Sequence, residues 1–232
     1  SYKTVKNQFS KYAREYNNNN IIQQIVSKAL VRDINSKPKR ILELGCGSGQ
    51  VFSQIDWKLE YYKATDFSQS MCDIHPQETN LDIYCFDFDS EEFWYNIKNE
   101  DYDIVLSSSA MQWSKNLSKL VNRLMAVSNE INAVLFTSNT FKSIQKITKK
   151  ESPILDLETI KNSFLQYCDC EFEVFTYNLE FNNKKDLFKY IKNSGVSGDS
   201  DLNFKEAKKL FKEYDKNYLE FEVVFIKAFS KQ

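Results

Sequence analysis

An α/β fold, with a mostly parallel sheet of seven strands covered by helices on both faces, is predicted by three features of this 232-residue chain. Residues 40–49, RILELGCGSG, read as a buried strand that opens directly into three glycines at alternate positions. From there to residue 139, short apolar runs alternate with stretches at helical spacing, the pattern of parallel strands joined by crossover helices. Two late β-prone runs, EFEVFTYNLEF and LEFEVVFIKAF, bring the count to seven and finish the sheet.

Taken in order, residues 9–32 predict a helix in two pieces. Phe9, Tyr12, Ala13 and Tyr16 share one face, the tract Asn17 to Asn20 interrupts, and Ile21, Ile22, Ile25, Ala29 and Leu30 continue. Strands follow near 40–45, 60–66, 81–87, 102–108 and 131–138, with helices expected between them at about 48–55, 68–74, 90–97 and 116–128. Beyond Asn139 come a lysine-bearing segment, a helix at 156–166, a strand near 171–181, helices near 184–193 and 204–216, and a last strand at 219–229. One domain is expected over residues 1–232, in three parts. Residues 1–35 would form an N-terminal helical lid, 36–139 a cofactor-binding core, and 140–232 the substrate-side helices and final strands.

Ile41, Leu42 and Leu44 make the first strand, and Glu43 lies at its carboxyl end, where ligands bind in open α/β sheets. Gly45, Gly47 and Gly49 let the backbone turn and a ligand approach closely. The spacing is Glu-x-Gly-x-Gly-x-Gly, whereas a dinucleotide fingerprint would need its third glycine where Gln50 stands. A pyrophosphate wants bare N–H groups at a helix start, but a zwitterionic sulfonium gains from a nearby carboxylate. The turn therefore favours S-adenosylmethionine over a nicotinamide dinucleotide.

Two more acids fall where the second and third strands should end, Asp66 in KATDFS and Asp87 in CFDFDS. Asp66 lies 23 residues beyond Glu43, the distance at which a strand-end acid takes the ribose hydroxyls of an adenosine; a turn or helix-cap role before Ser68 is the alternative. Asp87 suits contact with an adenine amino group, or ordinary turn chemistry with Asp89 and Ser90. Phe67 or Phe88 could stack on adenine. The fourth strand, YDIVLSSSAMQW, brings Ser107, Ser108, Gln112 and Trp113 to the same edge as a pocket wall, although composition alone would make Trp113 a core residue.

Composition excludes several classes. With 31 basic and 32 acidic residues the net charge is −1, so no global field steers the chain to nucleic acid or lipid, and an acidic partner would need a local patch. No apolar run approaches the ~20 residues that span a bilayer, and SYKTVKNQFS lacks the core of a signal peptide, so no membrane association and a cytoplasmic location are expected. Cys46, Cys72, Cys85, Cys168 and Cys170 lack zinc-ribbon spacing, which points to neither a disulfide framework nor a metal site. His75 is the only histidine, so a histidine dyad is impossible, and a loop position before Pro76 suits it.

With those residues in place, the chain resembles the class I Rossmann-like methyltransferases, and more narrowly the malonyl-acyl-carrier-protein O-methyltransferases of biotin synthesis. The broad motif is ILELGCGSG with Asp66 and Asp87. The narrower match is Phe9-x-x-x-Ala13-x-x-Tyr16 followed by Gln23, AMQWSKNLSKL from Ala110, FTSNTFKSIQKI from Phe136, and IKNSGVSG from Ile191. Asn17 stands where that family usually has Asp, and the run from Asn129 to Asn132 replaces its Arg-Pro-x-Gly, with Asn132 expected to tolerate the left-handed turn conformation.

The resemblance implies S-adenosylmethionine held by Tyr16, Gln23, Glu43, Gly45, Cys46, Gly47, Gly49, Asp66, Phe67, Asp87, Phe88 and Ser107. It implies methylation of the free carboxylate of a malonyl thioester, with Tyr12, Tyr16, Gln112 and Trp113 as candidate catalytic donors and Arg14 or Arg123 beside them. The implied partner is an acyl carrier protein bearing a malonyl group, with malonyl-CoA as the smaller substitute, and the expected state is a monomer. Three lysine groups could meet that acidic partner: Lys142, Lys146, Lys149 and Lys150; Lys184, Lys185, Lys189 and Lys192; and Lys205, Lys208, Lys209 and Lys212. The rival readings are methylation of a free small acid or a quinone-like carbon, and a cofactor-binding regulator without turnover.

Overall fold

In the computed structural model, which describes residues 20–97, 99–194 and 203–231, the strands form one seven-stranded sheet. They are β1 (Arg40–Leu44), β2 (Tyr61–Asp66), β3 (Leu81–Cys85), β4 (Ile104–Ser108), β5 (Glu130–Phe136), β6 (Cys168–Glu180) and β7 (Tyr218–Ser230). Their order is β3-β2-β1-β4-β5-β7-β6. The first five pair in parallel, and β7 lies antiparallel between β5 and β6. This is the Rossmann-like arrangement, and strand order reverses between β1 and β4, which opens a crevice at their carboxyl ends.

The helices are α1 (Ile21–Arg32), α2 (Gln69–Ile74), α3 (Glu91–Ile97), α4 (Leu117–Leu124), α5 (Lys142–Thr148), α6 (Leu157–Leu165), α7 (Lys184–Ser194) and α8 (Phe204–Glu213). Central strands are buried on both faces, which is why they read as continuous apolar runs. Phe221, Val223 and Phe225 of β7 face a core shared with α1, α7 and α8, while Val224, Ile226 and Ala228 face the core under α4 and α6. β6 is an edge strand, and Glu171 and Glu173 among its alternating residues discourage a further strand from pairing there. Among the described residues, no helix is long and apolar enough to cross a membrane.

Several elements differ from expectation. The helix expected at 48–55 is a single 3-10 turn, Phe52–Gln54. Of the sixteen residues between β1 and β2, 47–51 are turn and 52–54 make the 3-10 turn, and the chain then runs on to β2 without further helix. α4 stops at Leu124 because the N–H groups of Val127 and Ser128 turn back onto the Leu124 carbonyl before β5. α5 stands in the lysine-bearing segment, bounded by left-handed residues Phe141 and Lys149. Asn132 does not occupy a left-handed turn: it is a buried strand residue paired with Leu106 and Lys227. The first helical piece, with Phe9, Tyr12, Ala13, Arg14, Tyr16 and Asn17, lies outside the described residues, as does the second half of IKNSGVSG.

Candidate functional site

The β1 to β2 connection leaves the sheet through Gly45, Gly47 and Gly49, all at positive φ. At Gly45 the glycine is required twice over. Its φ is +69°, and an added Cβ would stand 2.2 Å from the Ala110 side chain. At Gly47, with φ +52°, a Cβ would meet nothing within 4 Å, so here the missing side chain leaves room in the crevice.

Glu43 is 1% exposed at the floor of this turn. The Tyr62 hydroxyl donates to its Oε1 at 2.5 Å, yet burial pushes the carboxyl up to about 8, assisted by the charge of Asp66. The Thr65 hydroxyl donates to the Glu43 carbonyl at 2.7 Å and locks β2 to β1 beside the acid. Asp66 accepts the Gly47 N–H on Oδ2 and the Ser68 N–H on Oδ1, both at 2.9 Å, so one carboxylate fixes the glycine turn and the start of α2 together.

A cleft of about 190 Å³ opens above Glu43, walled by the glycine turn, by Gln23 and Ser27 of α1, and by Ser108 and Ser109 after β4. Cys46 lines it too, and its thiol is pushed up by burial and by the charges of Glu43 and Asp66. The Ser27 and Ser108 hydroxyls are hydrogen-bonded at 2.8 Å, tying α1 to the end of β4. Ser109 takes φ 59°, an uncommon conformation for a side-chain-bearing residue, and its buried hydroxyl has no hydrogen-bond partner among the described residues. An orphaned donor and an open glycine cradle in one cleft are what a bound polar ligand would complete.

The remaining predicted residues fall in different places. Ser107 is fully buried, and its hydroxyl donates to the Leu44 carbonyl at 2.9 Å, stitching β4 to β1 behind the cleft. The Gln112 amide donates to the Ser109 carbonyl at 2.9 Å and bears on the site through that loop. Trp113 is 38% exposed, so it is no core tryptophan. Phe67 is 77% exposed beside Asp66, whereas Phe88 packs against the core under α3 and α4, its carbonyl accepting the Trp94 indole N–H. Asp87 sits in a turn, accepting the Asp89 N–H on its side chain at 2.9 Å and the Ser90 hydroxyl on its carbonyl. Arg123 is held by Glu91 at 2.7 Å on the outer surface of α4. His75 is 2% exposed, its ring against Phe52 and its Nδ1 3.0 Å from the Pro76 carbonyl oxygen.

Sequence reasoning missed Ser27, whose signal was the spacing Gln23 to Ser27, two polar side chains one turn apart in an apolar helix. It also missed Glu220 and Glu222 of β7. Glu222 accepts from the Thr137 hydroxyl at 2.7 Å, and Glu220 accepts from the Ser143 hydroxyl at 2.6 Å, so the two brace the loop from β5 into α5.

Fold and glycine turn meet in one class. Residues 41–130 match the family model described as a methyltransferase domain, and in fold and motif the chain is like the class I methyltransferases that use S-adenosylmethionine. Among curated proteins, the chain is similar to the malonyl-[acyl-carrier protein] O-methyltransferase of Haemophilus influenzae, 25% identical over 86% of this chain and 80% of that protein. The protein of the same name from Bacillus cereus is 24% identical over 75% of this chain and 71% of its own length. Among solved structures, the YcgJ protein of Bacillus subtilis superposes with a TM-score of 0.65 at 10% identity, covering 89% of this chain and 98% of that one, a likeness of fold.

Proposed function

We propose that this chain methylates the free carboxylate of a malonyl thioester carried on an acyl carrier protein, with S-adenosylmethionine as the donor. The observation that carries the proposal is the chemistry of the cleft. Glu43 and Cys46 are its ionisable lining side chains among the described residues, and the rest of the wall is amides, hydroxyls and apolar groups. A malonyl carboxylate is already ionised near neutral pH, so it needs no base to become a nucleophile, and the chain's one histidine, buried behind Gly49, does not line the cleft. The names of the two curated relatives support the same substrate.

Bound S-adenosylmethionine supplies an electrophilic methyl group on a cationic sulfur. Glu43, buried at the floor of the cleft, would answer that charge, and cation binding would draw its proton off. Asp66 holds the glycine turn through Gly47 and keeps lone pairs for ribose hydroxyls. Phe67 offers an exposed ring at the same edge for adenine. Gln112 and the Ser108 and Ser109 hydroxyls are the neutral donors that compensate a carboxylate for lost water without quenching it. Tyr12, Tyr16 and Trp113 remain candidates for the same task.

The test is methyl transfer from labelled S-adenosylmethionine to malonyl-acyl carrier protein, beside acetyl-acyl carrier protein and free malonate. Label appearing on the malonyl thioester alone, as a base-labile ester, is the expected result. Transfer to free malonate at an equal rate, or to none of the three, would overturn the reading.

A further inference from the structure

The three lysine groups, scattered in sequence, come together in space. α5 packs on α8, and Lys150 pairs with Glu206 of α8 at 2.6 Å. On the other flank of α8, Phe211 packs against Phe188 of α7 at 5.2 Å between centroids with the rings tilted, and the Lys184 ammonium donates to the Phe211 carbonyl at 2.9 Å. α8 buries Leu210, and Tyr214 just past its end, and turns Lys205, Lys208, Lys209 and Lys212 outward. Together these helices and the turn after α5 carry twelve lysines against Asp186, Glu206 and Glu213, nine net positive charges. The whole chain totals −1, so everything else carries −10. The near-neutral net charge therefore hides a strong segregation.

The location matters as much as the charge. α5 follows the carboxyl end of β5, α7 follows that of β6, and α8 leads into β7, which begins at that same edge. The basic face thus stands on the edge of the sheet that holds the cleft.

We infer that the joint outer face of α5, α7 and α8 is the docking surface for an acidic carrier protein, which would present its thioester-bound group to the adjacent cleft. This rests on the proposed function for the identity of the partner. The charge favours an acidic protein over nucleic acid for a chemical reason: none of the twelve cations is an arginine, the residue whose planar fork recognises phosphates and bases bidentately. Lysines act as point charges and steer an acidic surface into register without demanding one geometry. Phe204, 85% exposed at the start of α8, adds an apolar contact at the face's border.

The experiment uses the full chain with Lys205, Lys208 and Lys212 changed together to Glu, and a second variant with all three changed to Gln. Binding of malonyl-acyl carrier protein and of a single-stranded DNA oligonucleotide is measured by anisotropy at low and physiological salt, and methyl transfer to malonyl-CoA is measured in parallel. Expected is a loss of carrier binding of about tenfold or more for the Glu variant at low salt, a smaller loss for the Gln variant, and unchanged turnover of malonyl-CoA. Carrier binding unchanged in the Glu variant, or DNA bound more tightly than carrier by the unaltered protein, overturns the surface. If the surface fails while malonyl-acyl carrier protein is still methylated, only the docking face is wrong. If carrier binds there and is never methylated, the surface stands and the proposed reaction falls.

Discussion

Glu43 sits at about 8 in a place that a carboxyl of ordinary value 4.5 would leave for water, and the cause is burial that Tyr62 only partly offsets. Between those two values the unfolded chain has released the proton while the folded chain keeps it, so folding stability falls as pH rises across that window. Glu43→Gln removes the dependence. In urea unfolding without cofactor, the wild type should lose a few kcal/mol relative to Glu43→Gln between pH 5 and pH 8. Cofactor affinity should move the other way, rising with pH in the wild type and staying low and flat in the variant. Parallel stability profiles for the two proteins would remove Glu43 from this role. The acid itself was legible in the sequence, as a carboxylate at the end of an apolar strand before three glycines. Its control was not, because Tyr62 meets it through the register of the neighbouring strand, which a single sequence does not encode locally.

At the scale of elements, periodicity and capping chemistry carried most of the fold. In α4, Leu117, Leu120, Val121 and Leu124 fall on one face, and the Asn116 side chain accepts the Lys119 N–H at 3.1 Å to start the helix. Asn116→Ala should cost about 1 kcal/mol and lower the melting temperature by about 2–4 °C, with cofactor affinity unchanged, as read by a thermal melt and a binding titration. No shift in melting would mean that tertiary packing alone fixes the start of α4. α5 was not legible as a helix, since its seven residues bury no side chain fully and it is bounded by left-handed residues at both ends. The 3-10 turn at Phe52–Gln54 was over-read as a full helix that would have taken in residues 48–51, which are turn. The insertion of β7 between β5 and β6 was likewise out of reach, being a pairing between residues about 90 positions apart in the chain.

For the molecule as a whole, the cleft lies where the strand order reverses, its floor set by β1, one wall by α1 and the other by the loop after β4. The alternation of strands and helices was enough to locate that crevice. Sequence could not supply the gathering of three lysine groups onto one face, because the helices that bear them are joined only by tertiary contacts. The central claim is that the glycine turn, Glu43 and Asp66 form a binding site for S-adenosylmethionine, and calorimetric titration of the cofactor into the wild type and Asp66→Ala tests it most directly. The expected result is one site per chain in the wild type and binding weaker by about tenfold or more in Asp66→Ala, the scale of losing hydrogen bonds to a charged group. No binding by the wild type, or equal affinity for both proteins, would contradict it.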